Sequence, residues 1–142
     1  MRRWHFEKLV AEALDELPRR FRRGLRNIAV VVESEPSQAL LEEMGLWPHR
    51  TLLGLYQGVP LPRRGLSYGN VLPDRITLFQ RSIEDECDDD EEEIVVAIGE
   101  TLIHELGHYF GMSEEQIMEI EERYWRGDPF PEDLEKDEEP ST

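Results

Sequence analysis

One cysteine, Cys87, occurs in 142 residues. A single thiol cannot close an intrachain disulfide, so the fold has to hold by packing. Acidic neighbours surround Cys87 and raise rather than lower a thiol pKa, which argues against a nucleophile. No apolar run approaches membrane-spanning length, and the polar-amphipathic stretch from Trp4 to Leu17 is unlike a signal peptide. A soluble, cytoplasmic protein without membrane association is the expectation. Internal repeats are absent. Cations are scarce: 16 Lys and Arg stand against 32 Asp and Glu, for a net charge of −16. Binding to nucleic acid is mostly phosphate neutralisation, so no nucleic-acid partner is expected. Hydrophobic residues at 39% and charged residues at 34% still suit a small globular chain, and this length allows one core.

The charge is unevenly spread. The first 26 residues carry 8 of the Lys and Arg, and Glu84 to Glu139 holds 23 of the acids. The basic run Arg19-Arg20-Phe21-Arg22-Arg23 reads as a solvated turn or helix face that pairs with the acidic half. The run from Glu84 to Glu93 lacks EF-hand spacing and reads as solvated. Its second half has a local explanation. Asp88, Asp89 and Asp90 offer N-caps, and Glu91, Glu92 and Glu93 fill a first helical turn, where the dipole favours negative charge.

Periodicity predicts a helix from Trp4 to Leu17, ended by Pro18, and a short helical piece over Arg19 to Leu25. The β-branched run Ile28 to Val32 predicts a strand buried on both faces. Pro36 to Met44 reads as a short helix capped near Gly45. Leu52 to Gln57 and Arg75 to Gln80 read as further strands. The expected class is α+β, a small mixed sheet packed against helices. Residues 1–126 form one domain in this reading, and 127–142 an acidic, flexible C-terminal tail.

Residues 104 to 111 read His104-Glu105-Leu106-Gly107-His108-Tyr109-Phe110-Gly111 and contain HExxH. Residues four apart share a helix face, about 5–6 Å apart at Cβ, so both imidazoles can reach one zinc ion. Glu105 lies about a quarter turn round, where it can take a proton from water at the metal. The flanks strengthen a weak pattern. Ile94, Val95, Ile98, Leu102, Ile103, Leu106, Tyr109 and Phe110 fall on one arc that should face the core. His104 and His108 fall outside it, sharing their stripe with the small residues Ala97 and Thr101. Gly111 is the natural left-handed terminator. Ser113-Glu114-Glu115-Gln116 then forms a capping box for a helix with Ile117, Ile120 and Tyr124 on its apolar stripe. His5 and His49 have no spacing partner and are expected outside the site. Tyr56, Tyr68 and Tyr109 could assist an oxyanion but read first as core.

HExxHxxG followed by an acid resembles the zincin-like metallopeptidases, and in particular the small bacterial minimal zincins of about this length. The resemblance covers most of the chain. It implies a minimal zincin-like fold, one zinc ion bound by His104 and His108, and Glu105 as general base. That family shows HExxHxFGxSD with aspartate as third ligand. Here glutamate stands at that position, so the resemblance implies Glu114 as third ligand, with Glu115, Glu119 and Glu122 as fallbacks. Metzincins carry histidine there, and their full signature is absent. The implied activity is zinc-dependent hydrolysis of peptide or unfolded-protein substrates, with a substrate paired to an edge strand around Arg75 to Gln80. Other divalent metals suit the same donors. A metal-binding, non-hydrolytic interaction module on the same scaffold is the alternative.

Overall fold

The computed structural model describes residues 1–63, 74–131 and 134. Helix α1 spans Arg3–Asp15 and buries Phe6, Leu9, Val10 and Ala13, a spacing of three and four that lines one face. Pro18 disfavours helix at the residue before it, then opens α2, Arg19–Gly24. Strand β1 is Ile28–Glu33. Helix α3, Gln38–Glu43, starts at Ser37, whose hydroxyl accepts from the Leu40 N–H at 3.1 Å. Strands β2, Gly54–Gln57, and β3, Asp74–Phe79, follow. Helix α4 is Gln80–Glu86, α5 is Glu91–Phe110 and α6 is Glu114–Arg126.

The described strands form one mixed sheet in the order β1-β3-β2. β3 runs parallel to β1 and antiparallel to β2, with Ile76 opposite both Val30 and Tyr56. Helix α5 lies against β2 and β3, and α1, α4 and α6 pack on α5. Its apolar arc closes the core: Ile94, Ile98, Leu102, Ile103 and Leu106 are fully buried, among Phe6, Ile76, Leu78 and Ile83. The architecture is the expected α+β class. No helix among the described residues is long and apolar enough to cross a membrane.

Three expectations need correction. β1 is not covered on both faces: Ile28 is buried, Ala29 is exposed, and the next three residues are half-buried. β1 lies at the sheet margin, and β3 in the middle has the doubly covered pattern. β3 is therefore no edge for a peptide, since both flanks are already paired. Helix α4 went unread because Ile83 is its only strongly apolar residue; tertiary packing makes it. Glu84 in that helix is buried rather than solvated and takes the Met1 ammonium at 3.2 Å. In the basic run, Arg20 stands over the Phe110 ring at 5.0 Å. Most of the expected tail, and Tyr68, lie outside the described residues. Within the tail, Phe130 stacks on Tyr124 and Leu134 is buried.

Candidate metal centre

Local sequence chemistry holds α5 at both ends. Asp90 caps it, accepting from the Glu93 N–H at 3.1 Å, and Glu91 to Glu93 occupy the first turn. Gly111 ends it at φ 75°, in the left-handed region where a Cβ is strained. Between those ends His104 and His108 stand one turn apart, ring centroids 4.7 Å from each other and planes at 82°. Ligand atoms of His104, Glu105 and His108 all lie within 4.8 Å of one another.

Helix α6 supplies the opposite wall, and two glycines of α5 set its distance. A Cβ on Gly107 would stand 2.4 Å from Ile117 Cγ1, and one on Gly99 would stand 2.0 Å from the Tyr124 hydroxyl. The pairing of 107 with 117 and of 99 with 124 shows that α6 returns along α5. Side chains along this seam are thereby brought into reach, His104 and Glu121 between those glycines and His108 and Glu114 just beyond Gly107. The Ser113 capping box starts α6 at the right register: Ser113 Oγ accepts from the Gln116 N–H, and the Gln116 side chain accepts from the Ser113 N–H.

Two carboxylates of α6 meet the two imidazoles. His108 Nε2 is 3.1 Å from Glu114 Oε1, and His104 Nε2 is 3.9 Å from Glu114 Oε2. Both Nε2 atoms thus converge on one carboxylate. The far side of His104 is held as well, with Nδ1 at 2.9 Å from Glu121 Oε1. That contact raises the His104 pKa against the opposing effect of burial. The imidazole of His108 holds the Glu114 carboxyl below its usual range.

Glu105 points the other way, toward the sheet. Its Oε1 accepts from the Tyr56 N–H at 2.7 Å, and it is buried. His108 Nδ1 lies 3.6 Å from the same oxygen, close electrostatically but too long for a hydrogen bond. Burial pushes the Glu105 carboxyl above its ordinary range, and the Tyr56 amide and both histidines pull it back. Tyr56 therefore enters the site by its backbone; its hydroxyl donates to Asp74 at 2.7 Å. Thr101 packs its methyl where a Cβ on Gly54 would sit, which lets β2 approach α5. Beside the imidazoles opens a cavity of about 260 Å³, walled by Leu52, Leu53, Gly54 and Thr101 and bordered by Glu100 and Glu121.

The structure brings His104, Glu105, His108 and Glu114 together. Of the fallbacks, Glu119 pairs with Arg123 at 3.5 Å and Glu122 with Arg126 at 3.7 Å, both along their own helix. His5 pairs with Glu91, outside the centre. Burial first, and then its acidic neighbours, raise the Cys87 thiol pKa. Two participants escaped the sequence reading. Glu121 had a signal, since it lies seven residues after Glu114 and so two turns along the same face. The Tyr56 amide had none. The donor set, two imidazoles and a carboxylate converging from two helices, fits a zinc-class ion.

The sequence profile of the zincin-like metallopeptidases matches residues 25–124, from the turn before β1 into α6. The chain belongs to this family. No curated protein matches it significantly. Membership implies a divalent metal, usually zinc, and the group formed by His104, Glu105 and His108 could bind one.

Proposed function

We propose that the chain is a zinc-dependent peptide hydrolase in which His104 Nε2, His108 Nε2 and Glu114 hold the ion and Glu105 is the general base. The observation that carries this reading is the convergence of both Nε2 atoms on the Glu114 carboxylate, with a buried carboxylate beside them. A zinc ion with three protein ligands would keep one position for water, acidify that water and polarise a carbonyl. The other roles belong to the chain. Glu105 is fixed through Oε1 by the Tyr56 amide, so proton uptake from the attacking water falls to Oε2. Its raised pKa makes it a stronger base than an exposed glutamate, and the same oxygen can pass the proton to the leaving amine. The wall from Leu52 to Gly54 and the cavity beside His104 give an extended peptide a place to lie, between the approach to β2 and α6. This groove replaces the expected edge around Arg75 to Gln80.

The test is cleavage of unstructured peptides and denatured proteins by zinc-loaded protein, read by mass spectrometry. Chelator-sensitive products that disappear in Glu105→Gln support the reading. Cleavage that persists in that variant points to a contaminating protease. The second reading is a metal-binding interaction module without hydrolysis. One observation favours it: the Tyr56 amide already occupies one oxygen of Glu105. Zinc-loaded protein that cuts nothing yet retains a protein partner in pull-downs would select it.

A further inference from the structure

The geometry points to Glu121 as a positioning residue that fixes the tautomer of His104 and thereby sets the metal affinity of the centre. The inference rests on the metal reading above and adds a residue to it. A neutral imidazole carries one N–H, on either Nδ1 or Nε2. With Glu121 Oε1 at 2.9 Å from Nδ1, the proton belongs on Nδ1, where a carboxylate can accept it. Nε2 then keeps its lone pair, and that atom is the one facing Glu114. The contact is shielded, with the two side chains only 35% and 27% exposed, so it keeps more of its strength than a surface pair. A carboxylate behind a ligating imidazole orients the ring and makes it a more basic ligand.

The two histidines differ in this respect. His108 also turns Nε2 to Glu114, but among the described residues its Nδ1 finds only Glu105 Oε1 at 3.6 Å, an atom the Tyr56 amide already uses. His104 is therefore held on both sides and His108 on one. The helix register explains why. Glu114 and Glu121 stand two turns apart on the face of α6 that returns along α5, so one meets His108 and the other meets His104.

The experiment measures zinc affinity by chelator competition in wild type, Glu121→Ala, Glu121→Gln and Glu119→Gln. In parallel, nitrogen NMR reads the His104 tautomer of the metal-free protein at a pH above the histidine range. Removing such a partner typically weakens metal binding by about 10- to 100-fold, and that loss is expected in Glu121→Ala. Glutamine keeps an acceptor oxygen, so Glu121→Gln should regain most of the affinity. Wild type should show His104 with its proton on Nδ1, and Glu121→Ala a mixture of tautomers. Glu119 stands on the same helix but pairs with Arg123 at 3.5 Å rather than with an imidazole, so Glu119→Gln should change little. An equal loss in Glu119→Gln would overturn the assignment, because it would mark a diffuse field rather than an oriented contact. Unchanged affinity in Glu121→Ala, while wild type binds zinc, would overturn it and leave the metal reading standing. Wild type that binds no zinc would overturn both. Should Glu121→Ala fail to fold, Glu121→Asp carries the test, since its shorter side chain loses the contact and unchanged affinity there is equally fatal.

Discussion

Helices α5 and α6 face each other across the candidate metal centre and are held very differently. α5 buries ten of its 20 residues, against the sheet on one side and α1 on another. α6 buries two of its 13, Ile117 and Ile120. The imidazoles and Glu105 stand on the heavily anchored helix. The partner carboxylates, Glu114 and Glu121, come from the lightly anchored one. Position is demanded most of the groups that must not move, and the core supplies it. A carboxylate on a longer side chain tolerates a softer support. Glu114 shows this tolerance, because its side chain is 67% exposed and still reaches between both rings.

The largest expected effect tests the chemistry of the rigid side. Glu105→Gln should lower peptide turnover by about 10²- to 10⁴-fold, while zinc content and thermal stability stay near wild type. Turnover and zinc lost together would mean that Glu105 acts on the metal rather than on water.

Anchoring itself comes next. Ile103→Ala empties a fully buried site on α5 and should cost about 2–5 kcal/mol in denaturant unfolding. Ile120→Ala on α6 should cost less and weaken zinc binding. Equal losses would erase the contrast between the helices.

Zinc bridges both helices in this reading, so its removal tests their connection. A ligand held only by the folded state at about 100 times its Kd stabilises by about 2.7 kcal/mol, and chelation should lower Tm accordingly. His104→Ala with His108→Ala should abolish that difference. A double variant that kept its zinc stoichiometry would refute the centre.

Closer still to the seam, Gly107→Ala drives a methyl into Ile117 and should cost about 1–3 kcal/mol. The same push moves α6 outward, so zinc affinity should fall with it. Stability lost without any change in affinity would show that α6 contributes no ligand.

The smallest expected change isolates one ligand. Glu114→Gln should weaken zinc by more than about tenfold, whereas Glu115→Gln should leave it intact. Chelator titration of both variants decides this. Equal affinity in wild type and Glu114→Gln would transfer the ligand role to Glu121 or further along α6.

Much of the centre was legible because its rules are short-range. The Asp90 cap, the Gly111 terminator, the Ser113 capping box and the apolar arc of α5 each depend on neighbours within a few positions, and all four appear where periodicity and caps placed them. Errors arose where burial depends on distant partners. β1 is the more uniformly apolar of the two strands, yet β3 is the more deeply buried, because it sits between two strands. Glu84 belonged by composition to a solvated acidic run. The Met1 ammonium, 83 residues away, turned it inward. Helix propensity disfavours glycine at positions 99 and 107, and these are where α6 comes close.

By itself the sequence determined that two imidazoles share a helix face with an acid beside them. An α-helix imposes that geometry on HExxH wherever the helix lies, and a spacing of four needs no tertiary contact. It also determined that Glu114 opens the next helix, since Gly111 and Ser113 set that turn locally. Only the tertiary structure decided what stands behind these groups. Glu121 reaches His104 across 17 residues, and the Tyr56 amide reaches Glu105 across 49. Contacts of that separation have no period along the chain. They exist because glycines at three places let a helix and a strand close on α5, and close approach in space leaves no pattern in order along the sequence.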